Sequence, residues 1–209
     1  GGALLVLEAV EGCEQASPLD EARAARALRA AAALHAAAWE QVALLRRASE
    51  RLQRHGGVFS LSIRNPSELA RLRPNWEAFK AEFGGEAPAL LRPSPSRLAE
   101  LGARLEAWTP WVAAQLAPAP GDACATLVHG DFKAMNVMLP AGDAAAPARL
   151  IDFASCGVGL GMADVAMLLA HSVAPSTLAE GGEERLLDAY LDALAEGGVK
   201  GYDRALATR

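Results

Sequence analysis

The sequence is short of the residues that build large cores: 11 of its 209 residues are aromatic, against 47 alanines. Much of the helix surface must therefore be alanine, and the 52% hydrophobic content overstates the core. Cysteine is scarce as well. Cys13, Cys124 and Cys156 are odd in number, far apart and without a CxxC pair, which argues against a disulfide framework or a structural zinc site. A reducing compartment is the expectation. Positive charge is in deficit, with 20 Lys and Arg against 25 Asp and Glu and a net charge of −5. The basic face that sequence-independent nucleic-acid binding needs is thus missing. No run reaches the roughly 18 apolar residues of a membrane span. Gly1-Gly2-Ala3 shows no basic stretch followed by an apolar core, so no secretory signal is expected. These absences leave a folded, mostly helical chain, expected in the cytoplasm, with neither nucleic acid nor membrane as a partner.

Along the chain, Leu4 to Leu7 reads as a short buried strand. Ser17 reads as a helix cap with Pro18 at the first helical position and Asp20 three residues after the cap. A long helical pattern then runs to about Arg54, stops at Gly56-Gly57 and is expected to break near Glu40. Leu28, Ala31, Ala32, His35 and Trp39 share one face, where His35 reads as a packing histidine. Between residues 58 and 97, turn signals at Asn65-Pro66, Arg73-Pro74, Gly84-Gly85 and Pro93-Ser94-Pro95 separate short helices such as Asn75 to Phe83. A longer helix is expected from Ser96 to Leu116, kinked at Pro110, before a linker at residues 117–122. The texture then changes. Strands are expected at Ala125 to Val128, Asn136 to Leu139 and Arg149 to Ile151, the last two as a hairpin. The Gly157 to Gly161 run reads as a short mobile loop, and helices from Asp164 to Ser172 and Glu183 to Glu196 close the chain.

The chemistry is concentrated in Leu127-Val128-His129-Gly130-Asp131-Phe132-Lys133-Ala134-Met135-Asn136-Val137-Met138-Leu139. A strand delivers a tight loop with a carboxylate, an ammonium and a carboxamide, and a second strand leaves it. Asp152 follows sixteen residues after Asn136, at a strand end in Leu150-Ile151-Asp152-Phe153. A hairpin between them would bring Asp131, Asn136 and Asp152 to one pocket. Phosphoryl transfer needs such a set, because catalysis there is positioning plus neutralisation of charge. Magnesium takes hard oxygen ligands, which Asn136 and Asp152 can supply beside phosphate oxygens and waters. Asp131 is then free to accept the hydrogen of an acceptor hydroxyl. Lys133, on the same loop, can reach the transferring phosphate.

His129-Gly130-Asp131, four residues, Asn136, and then Ile151-Asp152-Phe153 resemble the small-molecule kinases of the protein-kinase-like fold. These are the aminoglycoside phosphotransferases and the choline-kinase-like and ecdysteroid-kinase-like enzymes. Leu34-His35-Ala36-Ala37-Ala38-Trp39 resembles the helix that follows the hinge in that superfamily, and Ala163-Asp164-Val165-Ala166 its aspartate after the metal loop.

The resemblance implies an α+β, mostly helical fold: a carboxy-terminal lobe with a small β-hairpin at the catalytic site. Residues 1–10 would be the last strand of the amino-terminal lobe and the hinge, with Glu8, Ala9 and Val10 pairing with adenine. Residues 11–209 would be the helical lobe, with the catalytic loop at 127–139 and the metal loop at 150–164. The implied cofactors are ATP and Mg, and the implied acceptor is a small-molecule hydroxyl. Asp131 would be the catalytic carboxylate, with Lys133 at the terminal phosphate. Asn136 and Asp152 would hold the metal, while His129 and Asp164 would brace the loop. The phosphate-covering loop and the phosphate-pairing lysine of the family's amino-terminal lobe have no counterpart in this sequence. A non-catalytic kinase-lobe remnant that binds or regulates is therefore the alternative. A metal-dependent hydrolase using His129, Asp131, Asp152 and His171 is a third reading.

Overall fold

The computed structural model describes residues 9–57, 65–83, 95–143 and 146–208. The elements, in order, are β1 (Cys13–Glu14), α1 (Glu21–Ala38), α2 (Val42–Arg51), α3 (Pro66–Leu69), α4 (Leu72–Phe83) and α5 (Pro95–Gln115). After them come β2 (Ala125–Val128), β3 (Val137–Pro140), β4 (Arg149–Leu150) and β5 (Gly157–Leu160). The last helices are α6 (Gly161–Ser172), α7 (Pro175–Leu178), α8 (Gly182–Glu196) and α9 (Arg204–Ala207). The fold is α+β and mostly helical. It divides into two units, residues 1–57 with 118–209, and residues 58–117.

In the first unit, α1 begins three residues later than its sequence suggests. The cap is Asp20, whose carboxylate accepts from the Arg23 N–H at 2.9 Å. Ser17 and Pro18 lie outside the helix because Leu19 is held extended. Its N–H donates to the Ser172 carbonyl at 2.7 Å and its carbonyl accepts from Ala174 at 3.1 Å. Ala24, Ala27, Leu28, Ala31, Ala32, His35 and Ala38 form the buried stripe of α1 at helical spacing. Alanines on that stripe allow close approach to α8, which buries Leu186, Leu187, Tyr190 and Leu194. The two helices, with Val165 and Leu168 of α6, form the main core.

The helical pattern breaks at Glu40, as its residues suggest, with φ at +54°. Backbone pairing explains the position: the Glu40 N–H donates to the Ala125 carbonyl at 2.8 Å, and its carboxylate accepts from the Cys124 N–H at 2.8 Å. The second helix ends at Arg51, short of the glycines, because Gln53 bridges to Gly157.

Two small sheets carry the site. β1, β3 and β4 form one, with β3 antiparallel to both neighbours; Val137 faces Leu150 and Met138 faces Arg149. The expected hairpin is present, widened by the short, polar β1 that the sequence reading passed over. β2 and β5 form the other, antiparallel, with Val128 opposite Gly157. The run from Gly157 is therefore a buried strand and not the mobile loop expected of it. Its glycines are needed for close approach, which is why it carries no apolar signature. A Cβ at Gly157 would lie 2.3 Å from the Gln53 carbonyl oxygen, and one at Gly159 would lie 2.7 Å from a Val128 methyl.

Among the described residues the second unit holds two longer helices that pack on each other and one short helix. Asn65 caps α3 by accepting from the Ser67 N–H at 3.0 Å. α4 begins before Asn75, at Leu72, with Pro74 in its first turn, where a missing N–H costs little. α5 runs through Pro110. α4 and α5 pack on each other, with Gly102 against Trp76, where a Cβ would lie 2.9 Å from the Trp76 side chain. The turns expected at Gly84-Gly85 and Pro93-Ser94 lie outside the described residues, as do the expected strand from Leu4 and Glu8 of the expected hinge.

Candidate active site

The loop between β2 and β3 is short and held from several sides. Asp164, in the first turn of α6 and 1% exposed, accepts the His129 N–H at 2.7 Å and the Gly130 N–H at 2.9 Å on its two oxygens. A buried carboxylate with several N–H donors is exactingly placed. Two turns further along the same helix, Ser172 Oγ accepts from the Ala134 N–H at 2.8 Å. The 164/172 spacing was the available sequence signal for Ser172, which sequence reasoning missed.

His129 is fully buried, and its Nε2 lies 2.8 Å from the Ile151 carbonyl oxygen. Its Nδ1 lies 3.3 Å from the Asp131 N–H, so Nδ1 is the acceptor and Nε2 carries the proton. The Ile151 N–H in turn donates to the Asn136 carbonyl at 3.1 Å. Ile151 is thereby clamped on both sides by the loop, and Asp152 is the next residue. The Phe153 ring lies 4.8 Å from that of His129.

Within the loop, Asp131, Lys133 and Asn136 come together. The Asn136 amide nitrogen donates to the Asp131 carbonyl at 2.8 Å and to its Oδ2 at 3.1 Å. Lys133 Nζ lies 3.0 Å from the same oxygen. Both donors engage one carboxylate oxygen, so Asp131 Oδ1 and Asn136 Oδ1 have no partner among the described residues. That is the donor set that a hard cation and an acceptor hydroxyl require.

Asp152 is exposed and stands in the left-handed region, with φ +61° and ψ +68°. Among the described residues its carboxylate accepts only from Ala154 N–H, at 3.4 Å. Asp and Asn tolerate this backbone better than other residues with a side chain. The structure thus presents Asp152 one residue beyond the Ile151 clamp with its oxygens open. Among the described residues no three His, Cys, Asp or Glu side chains gather to hold a metal ion. Both ring nitrogens of His129 are engaged by backbone, which removes the hydrolase reading's first ligand.

The two loops touch through bare backbone. Gly130 has φ +83°, and a Cβ there would lie 2.1 Å from the Ser155 carbonyl oxygen. That oxygen also accepts from the Gly57 N–H at 3.1 Å. Beside these glycines, His55 has a buried Nδ1 with no hydrogen-bond partner among the described residues, and burial, aided by Arg54, lowers its pKa from the ordinary 6.5. Of the expected hinge, Ala9 and Val10 lie in no helix or strand.

Under this loop His35 is fully buried, with Nε2 3.1 Å from Asp164 Oδ2 and Nδ1 2.9 Å from the Tyr190 hydroxyl. The packing histidine expected from the helix face is also a hydrogen-bonded one. Burial pushes the Tyr190 hydroxyl pKa strongly up.

A short loop between two small sheets, tied to the start of a helix by a buried aspartate, is the centre of this mostly helical fold. The chain belongs to the phosphotransferase enzyme family, whose model matches residues 1–207. A crystal structure of aminoglycoside-3'-phosphotransferase of type VIII is similar over 92% of this chain, at 21% identity and a TM-score of 0.42. The chain spans 63% of the length of that protein. A search of the curated proteins returns no significant match.

Proposed function

We propose that this chain carries the phosphoryl-transfer site of an ATP- and Mg-dependent kinase that phosphorylates a hydroxyl of a small molecule. The observation that carries the reading is the Asp131–Lys133–Asn136 cluster, with one Asp131 oxygen engaged and the other open. Asp131 Oδ1 accepts the hydrogen of the acceptor hydroxyl and aims its oxygen, while Lys133 and Asn136 fix the carboxylate. Asn136 Oδ1 and the Asp152 carboxylate are the protein ligands for magnesium, a set it accepts because it keeps waters and phosphate oxygens as its other ligands. When bound, that ion neutralises charge on the nucleotide phosphates. Lys133, 35% exposed at its side chain, can leave Asp131 for the transferring phosphate. Glu8, Ala9 and Val10 remain the proposed adenine hinge. An acceptor of the choline, aminoglycoside or ecdysteroid kind is the expected substrate class, in a cytoplasmic setting where the three free cysteines stay reduced.

The test is a screen of hydroxyl acceptors with labelled ATP and magnesium, on the protein that carries this chain, beside its Asp131→Asn variant. Transfer by the native protein and none by the variant is the expected result. Equal transfer by both would remove Asp131 from the chemistry.

A further inference from the structure

The Tyr190 hydroxyl is buried in α8, 59 residues downstream of Asp131. Its one hydrogen-bond partner among the described residues is His35 Nδ1, at 2.9 Å. A buried hydroxyl left without an acceptor is costly, so its hydrogen points at that nitrogen. Nδ1 must then be the bare nitrogen and Nε2 the protonated one. The Nε2 proton lies on the side of Asp164 Oδ2, the oxygen that also receives the His129 N–H. The other assignment, a proton on Nδ1, would turn the Tyr190 hydrogen away with nothing to receive it. Gly161 closes the cage: a Cβ there would lie 2.4 Å from the Tyr190 hydroxyl and 2.8 Å from His35 Nδ1. The Thr126 hydroxyl fixes the same turn of α1 by donating to the His35 carbonyl at 2.6 Å.

We infer that Tyr190 is a positioning residue for the catalytic loop: it donates to His35 Nδ1 and so orients the ring whose Nε2 proton, received by Asp164, holds that carboxylate against the His129 and Gly130 N–H groups. The functional part of this inference rests on the phosphotransferase reading above; the proton assignment does not. Without the hydroxyl, His35 Nδ1 loses its donor and the ring is oriented from one side alone. Asp164 then loses its third donor for part of the time. The loop carrying Asp131 loosens while the groups that bind nucleotide and acceptor stay in place.

Nitrogen-15 NMR of the native protein, with the His35 signals assigned through a His35→Gln variant, reads the tautomer directly. The expected spectrum has Nδ1 bare and Nε2 protonated. Tyr190→Phe keeps the ring and is expected to shift the Nδ1 signal to that of a nitrogen with no donor, with Nε2 still protonated. It should speed exchange of the His129 and Gly130 amide hydrogens by about tenfold relative to amides elsewhere in the core. With an acceptor in hand, kcat should fall by about tenfold with KM for ATP and acceptor little changed. A proton on Nδ1 in the native protein would overturn the inference, as would unchanged exchange at His129 and Gly130 in Tyr190→Phe. Both of those readouts decide it whether or not transfer to any acceptor is found, so they separate its failure from that of the kinase reading.

Discussion

The two acids of the site are held in opposite ways. Asp131 is 17% exposed at its side chain and has two donors on one oxygen, from Lys133 and Asn136. Asp152 is exposed, has a single long contact to Ala154, and owes its position to a left-handed backbone just past a clamped Ile151. The difference teaches that one carboxylate is aimed by side chains and the other by the main chain. A group that must present one lone pair to a reacting hydroxyl needs orientation. A group that shares a hydrated cation with phosphates needs open oxygens.

Removing the aimed acid breaks the comparison most severely. Asp131→Asn is expected to lower kcat by about 10²–10⁴-fold with nucleotide affinity little changed, as single-turnover kinetics and nucleotide titration would show. Loss of affinity without loss of rate would exchange the two roles. Asp152→Ala should cost on the order of 10²–10³-fold, the rate equivalent of a few kcal/mol of charge stabilisation. Unlike the first variant, it should also abolish the magnesium dependence of nucleotide binding by calorimetry. Nucleotide binding that keeps its full magnesium response would remove Asp152 from the metal.

Gly130→Ala attacks the wall the loops share. Its φ of +83° and the Ser155 oxygen 2.1 Å from the added carbon make a cost of about 2 kcal/mol or more the expectation. Urea unfolding reads it, and an unchanged midpoint would mean the loops can part freely. The smallest effect sharpens the view of the glycine turn beneath. His55 has a lowered pKa in the fold, so the unfolded chain binds the extra proton first as pH falls. Stability is therefore expected to decline as pH drops through 6.5, and less so in His55→Gln. Parallel melting curves of the two proteins between pH 5 and 8 would contradict this.

Much of the candidate loop was legible because its polar residues are close in sequence. His129, Asp131, Lys133 and Asn136 lie within eight residues, and the strand signals that follow them forecast the β3–β4 hairpin. Asp152 followed from that register. What brackets the loop was not legible, since it comes from distant helices: Ser172 to Ala134, and Tyr190 to His35 to Asp164, are pairings that no local pattern encodes. The start of α1 was misplaced for a related reason, as an extended Leu19 depends on residues 172 and 174. β5 was hidden because close packing replaced its expected apolar side chains with glycine. Residues 65–83 and 95–117, the hardest part of the chain to read, gave two of their helices to within three residues but no site. Phe79, Trp108 and Trp111 are exposed there, and helical periodicity alone does not distinguish a core face from an open one.

The bare-backbone contacts of Gly56 with Gly157, and of Gly130 with Gly57 and Ser155, carry a consequence for anyone redesigning this protein. Gly56 N–H reaches the Val158 carbonyl at 2.8 Å, and a carbon added to Gly157 would sit 2.7 Å from Gly56 N. The spacing of the segments is thus set by the thickness of a peptide, a quantity that no substitution can fine-tune. Swapping acceptor preference by mutating side chains leaves this gauge intact, whereas transplanting either loop into another scaffold succeeds only if the whole glycine seam travels with it.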